Sequence, residues 1–150
     1  MTKNEALSKA MKLCSVKEYA PFEVEEKLRD WGVLDTDIAD ILTTLKEDKF
    51  VDEHRMACFY ANDKLRFNKW GKIKIRYALQ QKKVTAQAIS EALNQINTDE
   101  YTRILLTELR KKAKTIKETD PYRFKAKLFQ FAASRGFEAE VIYKLMDNEV

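Results

Sequence analysis

KWGKIKIRYALQQKKV, residues 69–84, is the stretch on which the fold turns. At helical spacing Ile75, Ala78 and Leu79 share one face. Lys72, Arg76 and Lys83 fall together beside that face, and Lys69 joins them if the helix starts early. Ile73 and Tyr77 lie on the far side, toward a neighbouring repeat or a partner. A solvated helix with an apolar inner face has the same look, so the stretch alone settles little. Its repetition settles more. Shifting the chain by 51 residues places Val24, Leu28, Val33, Ile38 and Leu42 on Ile75, Leu79, Val84, Ile89 and Leu93. A further shift of 53 reaches Leu128, Ala132, Phe137, Ile142 and Met146. All fifteen are apolar, and one column is isoleucine in every copy. Gly32 aligns with Gly136, and the middle copy has Lys83 there. Agreement through a helix, a turn and the next helix marks a repeat.

Apolar residues recur at steps of three and four along the rest of the chain. The spacing predicts helices over 4–14, 21–31, 36–48, 53–67, 71–82, 86–96, 99–117, 121–135 and 138–147. Pro21 and Pro121 suit first-turn positions, Asp120 is a cap for the eighth helix, and Asp35 and Thr85 are further caps. Gly32 and Gly136, each followed by an apolar residue, fit left-handed C-terminal turns. Three glycines and two prolines in 150 residues are too few for the turns of an all-β domain. The expected fold is all-α: three tandem three-helix repeats, 1–50, 51–97 and 98–150, stacked into an elongated, curved body. A unit of about 50 residues buries little core alone, so such repeats share a hydrophobic seam.

Positive charge is concentrated. The net charge is only +4, but residues 54–90 hold nine basic side chains and one acidic, Asp63. The first repeat carries 8 basic and 11 acidic groups, and the third 11 and 9. In the first repeat Glu23, Glu25, Glu26, Asp30, Asp35, Asp37 and Asp40 read as a solvated face. On the seventh helix Tyr101, Leu105, Leu109, Ala113 and Ile116 form the apolar stripe. Arg103, Arg110, Lys114 and Lys117 form a basic row beside it. Two basic rows facing one groove would attract phosphates or an acidic protein surface, with an encounter rate that falls with salt.

Other chemistry has little support. His54 is the only histidine, and no Cys/His set has metal-ligand spacing. No nucleophile or glycine-rich phosphate loop accompanies it. Cys14 and Cys58 read as reduced, small apolar residues. Trp31 reads as a packing residue; Trp70 reads as packing or as an exposed anchor. Phe124, Phe129 and Phe131 are expected to fill the core of the last repeat. No apolar run reaches the roughly 20 residues that span a bilayer, and the N-terminus is too charged for a signal peptide. No catalytic residue, metal or cofactor is expected, and the protein is expected to be a cytoplasmic monomer.

Four segments carry a family resemblance. APFEVEEKLRDWGV (20–33) is similar to the stretch of RecX proteins in which a patterned helix ends in glycine and an apolar residue. DKFVDEHRMACFYANDKL (48–65) resembles the RecX segment with an acidic pair, a basic residue and an alanine before an aromatic. Residues 69–84 resemble the Lys–Gly turn and basic helix. ASRGFEAEVIYKLM (133–146) resembles the Arg–Gly–Phe turn and last helix. Pro21 stands where a serine is common, and Lys83 replaces the usual glycine of the middle turn. The resemblance implies three-helix repeats and a regulator without chemistry of its own. Such a protein binds RecA and the RecA–single-stranded DNA filament along its groove. It restrains filament growth and inhibits the ATPase, strand-exchange and coprotease activities, and some members also bind DNA directly. The candidate contact residues are Lys69, Lys72, Arg76, Lys83, Arg103, Arg110, Lys114 and Lys117. The alternative is a stand-alone helix-turn-helix-like DNA-binding module acting without RecA. It would need a recognition helix, for which Gln80 and Gln81 are the available base-reading side chains.

Overall fold

The structure, a computed structural model, describes residues 1–148. The described residues form nine helices and no strand: α1 (Lys3–Val16), α2 (Pro21–Asp30), α3 (Asp35–Glu47), α4 (Glu53–Asn68), α5 (Lys72–Gln81), α6 (Ala86–Asn94), α7 (Thr98–Ala113), α8 (Pro121–Ser134) and α9 (Ala139–Asn148). The chain is all-α. Two compact units divide it, Met1–Phe59 with Leu79–Ala92, and Tyr60–Ala78 with the chain from Leu93.

Helix starts follow from side chains that accept orphan backbone donors. The Thr2 hydroxyl and Glu5 carboxylate bond reciprocally at α1. Pro21 opens α2, where the Glu23 carboxylate accepts the Ala20 N–H at 2.8 Å. Asp52 caps α4 through the Arg55 N–H at 3.0 Å, Asn97 caps α7 at 2.9 Å, and Asp120 caps α8 at 3.2 Å. Thr85 accepts the Ala88 N–H at 3.3 Å. Asp35 is not a cap: it is the first residue of α3, and Leu34 before it gives no side-chain bond. It still suits the positive end of the helix dipole.

The aligned turns have one geometry. After α2, the Gly32 N–H donates to the Arg29 carbonyl and the Val33 N–H to the Leu28 carbonyl. After α5, the Lys83 N–H donates to Gln80 and the Val84 N–H to Leu79. After α8, Gly136 donates to Ala133 and Phe137 to Ala132. The equivalent residue of each turn is left-handed, with φ of 79° at Gly32, 59° at Lys83 and 92° at Gly136. Lysine therefore occupies the middle turn without changing its hydrogen bonds. Left-handed backbone costs an L-residue about 1–2 kcal/mol, which this turn bears at Lys83. Of the fifteen aligned apolar residues, only Val33 and Leu42 are not fully buried.

In the first unit, Ala6, Ala10, Val24, Leu28, Ile38, Ile41 and Leu45 bury their side chains together, with Trp31 packed against them. Some acidic side chains of this unit are paired: Glu23 with Lys82 at 2.7 Å, Glu25 with Arg29 at 2.7 Å, and Asp40 with Lys3 at 2.8 Å.

In the second unit, α7, α8 and α9 pack on one another, and the start of α5 docks on the α8–α9 turn. The Gly71 N–H donates to the Arg135 carbonyl at 2.8 Å, and the Ile73 N–H to the Gly136 carbonyl at 2.9 Å. The Lys72 N–H between them donates to the Tyr101 hydroxyl oxygen at 2.9 Å. Three orphan donors of α5 are thus satisfied by distant residues. The approach is backbone on backbone. A Cβ on Gly71 would fall on the Gly136 carbonyl and the Phe137 nitrogen, and one on Gly136 would strike Lys74. A Cβ on Gly32 would meet nothing.

The aromatic residues of α8 differ from expectation. Phe124, Phe129 and Phe131 are half-buried, and Leu128 and Ala132 are the buried residues of that helix. Phe129 stacks on Tyr143 with centroids 4.6 Å apart. Phe131 lies under Lys112 and Arg135, at 5.3 and 5.0 Å. Trp70, read as packing or as an exposed anchor, is half-buried, with Lys64 and Lys74 about 5 Å from its ring.

Urea unfolding should rank three substitutions. Gly136→Ala adds left-handed strain to a clash and should cost about 3 kcal/mol or more. Gly71→Ala should cost about 2–3 kcal/mol, and Gly32→Ala about 1 kcal/mol. Equal costs at Gly32 and Gly136 would contradict the backbone contact. Lys83→Gly should gain about 0.5–1 kcal/mol, relief of strain exceeding the added chain entropy.

Candidate functional site: basic side chains around α5 and α7

Lys69 precedes α5 and has φ 57°. Its ammonium group donates to the Arg66 carbonyl. It lines a cavity of about 220 Å³ with Arg103, Ile104, Thr107, Glu108 and Lys111. One member of each basic row, from segments 34 positions apart, therefore meets in one place. Three cations and one carboxylate surround it, and Glu108 pairs with Lys111 at 3.6 Å. Ile104 and the Thr107 side chain give it an apolar wall. The Arg103 guanidinium adds a planar fork for a carboxylate or phosphate.

The other members are placed differently. Lys72 is half-buried with its ammonium group 5.1 Å from the Tyr101 ring centroid. It has a structural contact that the row did not foreshadow. Arg76 projects from α5 into solvent. Exposed apolar side chains accompany it, Ile73 at 53% and Tyr77 at 63%. Lys83 lies past the end of α5, in the first unit, with its ammonium group 5.5 Å from the Phe22 ring. Arg103 and Arg110 are exposed on α7.

Lys114 and Lys117 depart from the expected helix. α7 ends at Ala113, not at 117, because Thr115 turns the chain: its N–H and hydroxyl both donate to the Lys112 carbonyl, at 2.9 and 2.8 Å. Lys114 is the exposed C-cap. Lys117 instead lines a cleft of about 640 Å³ with Lys112, Thr115, Lys127, Gln130 and Phe131. Lys111, Lys112 and Lys127 were not singled out by the helical wheel. The run RKKAK (110–114) was the available signal for the first two; Lys127 arrives by packing of α8.

Tyr101 anchors this region. Its hydroxyl donates to the Glu138 carboxylate while accepting from the Lys72 N–H, and its ring is 5.3 Å from Phe137. Burial, then the bond to Glu138, pushes its phenol well above the ordinary tyrosine value. A raised folded value means this contribution is intact below the unfolded value of about 10 and is lost as pH rises above it. Arg66 braces α4 against α7 by a fork on Glu100, at 3.1–3.2 Å. Among the described residues no group of three or more His, Cys, Asp or Glu is arranged to hold a metal. No described helix is long and apolar enough to cross a membrane.

Comparison with known proteins places the helices in a family. The second three-helix domain of RecX matches residues 52–93, and the third three-helix domain matches 99–146. A regulatory protein RecX of Clostridium perfringens is 29% identical over 153 residues, covering 98% of this chain and 69% of its own. That of Chlorobaculum tepidum is 31% identical over 140 residues, covering 93% of this chain and 85% of its own. The crystal structure of RecX from Lactobacillus salivarius has the same fold. Its TM-score is 0.90 at 19% identity, over 97% of this chain and 94% of that one. Another RecX crystal structure gives 0.87 at 20% identity, over 97% and 72%. Fold and matches together define a regulatory protein built of three-helix domains. The chain belongs to the RecX family.

Tyr101→Phe should cost about 1–3 kcal/mol, since the half-buried Lys72 N–H loses its acceptor. The same variant should lose less stability than the wild type between pH 10 and 12 in denaturant titrations. An unchanged alkaline slope would remove Tyr101 from the pH dependence.

Proposed function

We propose that this protein binds RecA nucleoprotein filaments and restrains the ATPase, strand-exchange and coprotease activities of RecA in DNA repair. Membership of a family of regulatory proteins carries the reading, and the cavity shared by Lys69 and Arg103 suggests the contact. In this reading three repeats, 1–50, 51–97 and 98–150, form the binding body. Lys69, Arg76, Arg103, Arg110 and Lys114 supply cations to the filament, and Ile73 and Tyr77 supply apolar contact beside Arg76. Arg and Tyr are the side chains that most often dominate interfaces. Lys72 and Lys83 contribute less, because their ammonium groups already cover aromatic rings. Lys117 contributes from the cleft beside α8. The protein acts as a cytoplasmic monomer, without cofactor and without a reaction of its own.

RecA ATPase on single-stranded DNA is the test, with the protein added below the RecA concentration. Inhibition should appear at substoichiometric ratios and weaken with salt. Absence of inhibition at large excess overturns the reading. Lys69→Glu with Arg103→Glu should weaken filament binding by roughly 30-fold or more, the scale of an interface hot spot. Unchanged inhibition by that variant would leave the cavity without a role in binding. Sequence-selective duplex binding in the absence of RecA would favour the stand-alone DNA-binding module instead.

A further inference from the structure

His54 and Cys58 lie four residues apart on α4, hence on one face. Their Sγ and Nε2 atoms are 3.8 Å apart. From α6, the Glu91 carboxylate reaches the other ring nitrogen, Nδ1, at 2.8 Å. All three belong to the first unit. A carboxylate on Nδ1 holds the proton there and turns the Nε2 lone pair toward sulfur, the ordering of a nucleophile, a base and an orienting acid. The side chains of His54 and Glu91 are 56% and 47% exposed, and Cys58 is half-buried, so a small reagent has access. Cys14, the other cysteine, is buried and has no imidazole beside it.

We propose that Cys58 is a modifiable thiol that exchanges with low-molecular-weight disulfides, with His54 as its base and Glu91 as the residue that positions the imidazole. In the step, the Cys58 Sγ proton passes to His54 Nε2 and the resulting thiolate attacks one sulfur of the disulfide. The S–S bond breaks, its electron pair leaves with the departing sulfur, and that sulfur takes the proton from Nε2. The products are a mixed disulfide on Cys58 and one free thiol; Cys58 is oxidised and the second half of the reagent reduced. Excess thiol reverses the step by the same route.

The charged groups facing the sulfur decide how the step runs. Burial, then Glu91 and Asp52, push the Cys58 thiol up, so it keeps its proton at rest. The attacking thiolate therefore forms only when the proton passes to His54. The modification is independent of the binding of RecA.

The test is oxidised glutathione added to the full-length protein, with the adduct on each cysteine followed by peptide mass spectrometry. Cys58 should react at least tenfold faster than Cys14 and faster than the same cysteine in the urea-unfolded chain. His54→Ala should slow it tenfold or more and Glu91→Gln by a smaller factor, both with unchanged circular dichroism. The rate of the His54→Ala variant should depend more steeply on pH than that of the wild type, because without the imidazole the thiol proton has only water and hydroxide to take it. Equal rates in wild type and His54→Ala, or a Cys58 no faster than in the unfolded chain, would overturn the proposal.

Discussion

The second unit depends on two glycines that meet without side chains. Gly71 and Gly136 are 65 positions apart, and their backbones touch where α5 begins and α8 ends. The donors that a helix start leaves open and the carbonyls that a helix end leaves open satisfy one another. The two helices thus meet positive end to negative end, so the dipoles add to the hydrogen bonds. Tyr101 fills the remaining place with its hydroxyl between the Lys72 N–H and Glu138. One methyl group at either glycine would push the elements apart. The position of Lys69 against α7, and so the cavity beside Arg103, lies a few residues from this contact.

Much of this was legible in the chain. Helical spacing, Asp120 before Pro121, and glycines followed by apolar residues placed every helix to within a few residues, because those signals are local. The repeat columns then identified the core, and thirteen of those fifteen residues are fully buried. What escaped depends on partners far away in sequence. Nothing near Gly71 says that a second glycine will lie against it. A lysine at position 83 reads as a departure from a glycine turn, yet it takes the glycine conformation with the same two hydrogen bonds. The end of α7 escaped for a different reason: Ile116 continues the apolar stripe, but the Thr115 hydroxyl competes for the last carbonyl. Phe129 and Phe131 looked like core because they are aromatic, whereas ring faces can be covered by another ring or by cations.

The basic residues form the same contrast. A helical wheel treats Lys69, Lys72, Arg76 and Lys83 as equivalent. Packing does not: Lys72 and Lys83 spread over Tyr101 and Phe22, Lys69 joins a cavity with Arg103, and Arg76 points into solvent. Long lysine stems that cover aromatic surface add packing while keeping their charge near water. Net charge thus overstates how many cations are ready to meet a partner. Of the four only Lys72 and Arg76 lie within α5, and the wheel is silent on which side chains are already engaged.

The docking of α5 has a kinetic face as well. Amides at the first positions of a helix ordinarily trade their protons with water quickly, because no preceding turn holds them. Here the Gly71, Lys72 and Ile73 amides are bound by Arg135, Tyr101 and Gly136. Their exchange is therefore gated by separation of α5 from α7 and the α8–α9 turn, not by fraying of α5. Three adjacent amides with a common opening free energy make a built-in reporter, at single-residue resolution, of how often the second unit comes apart.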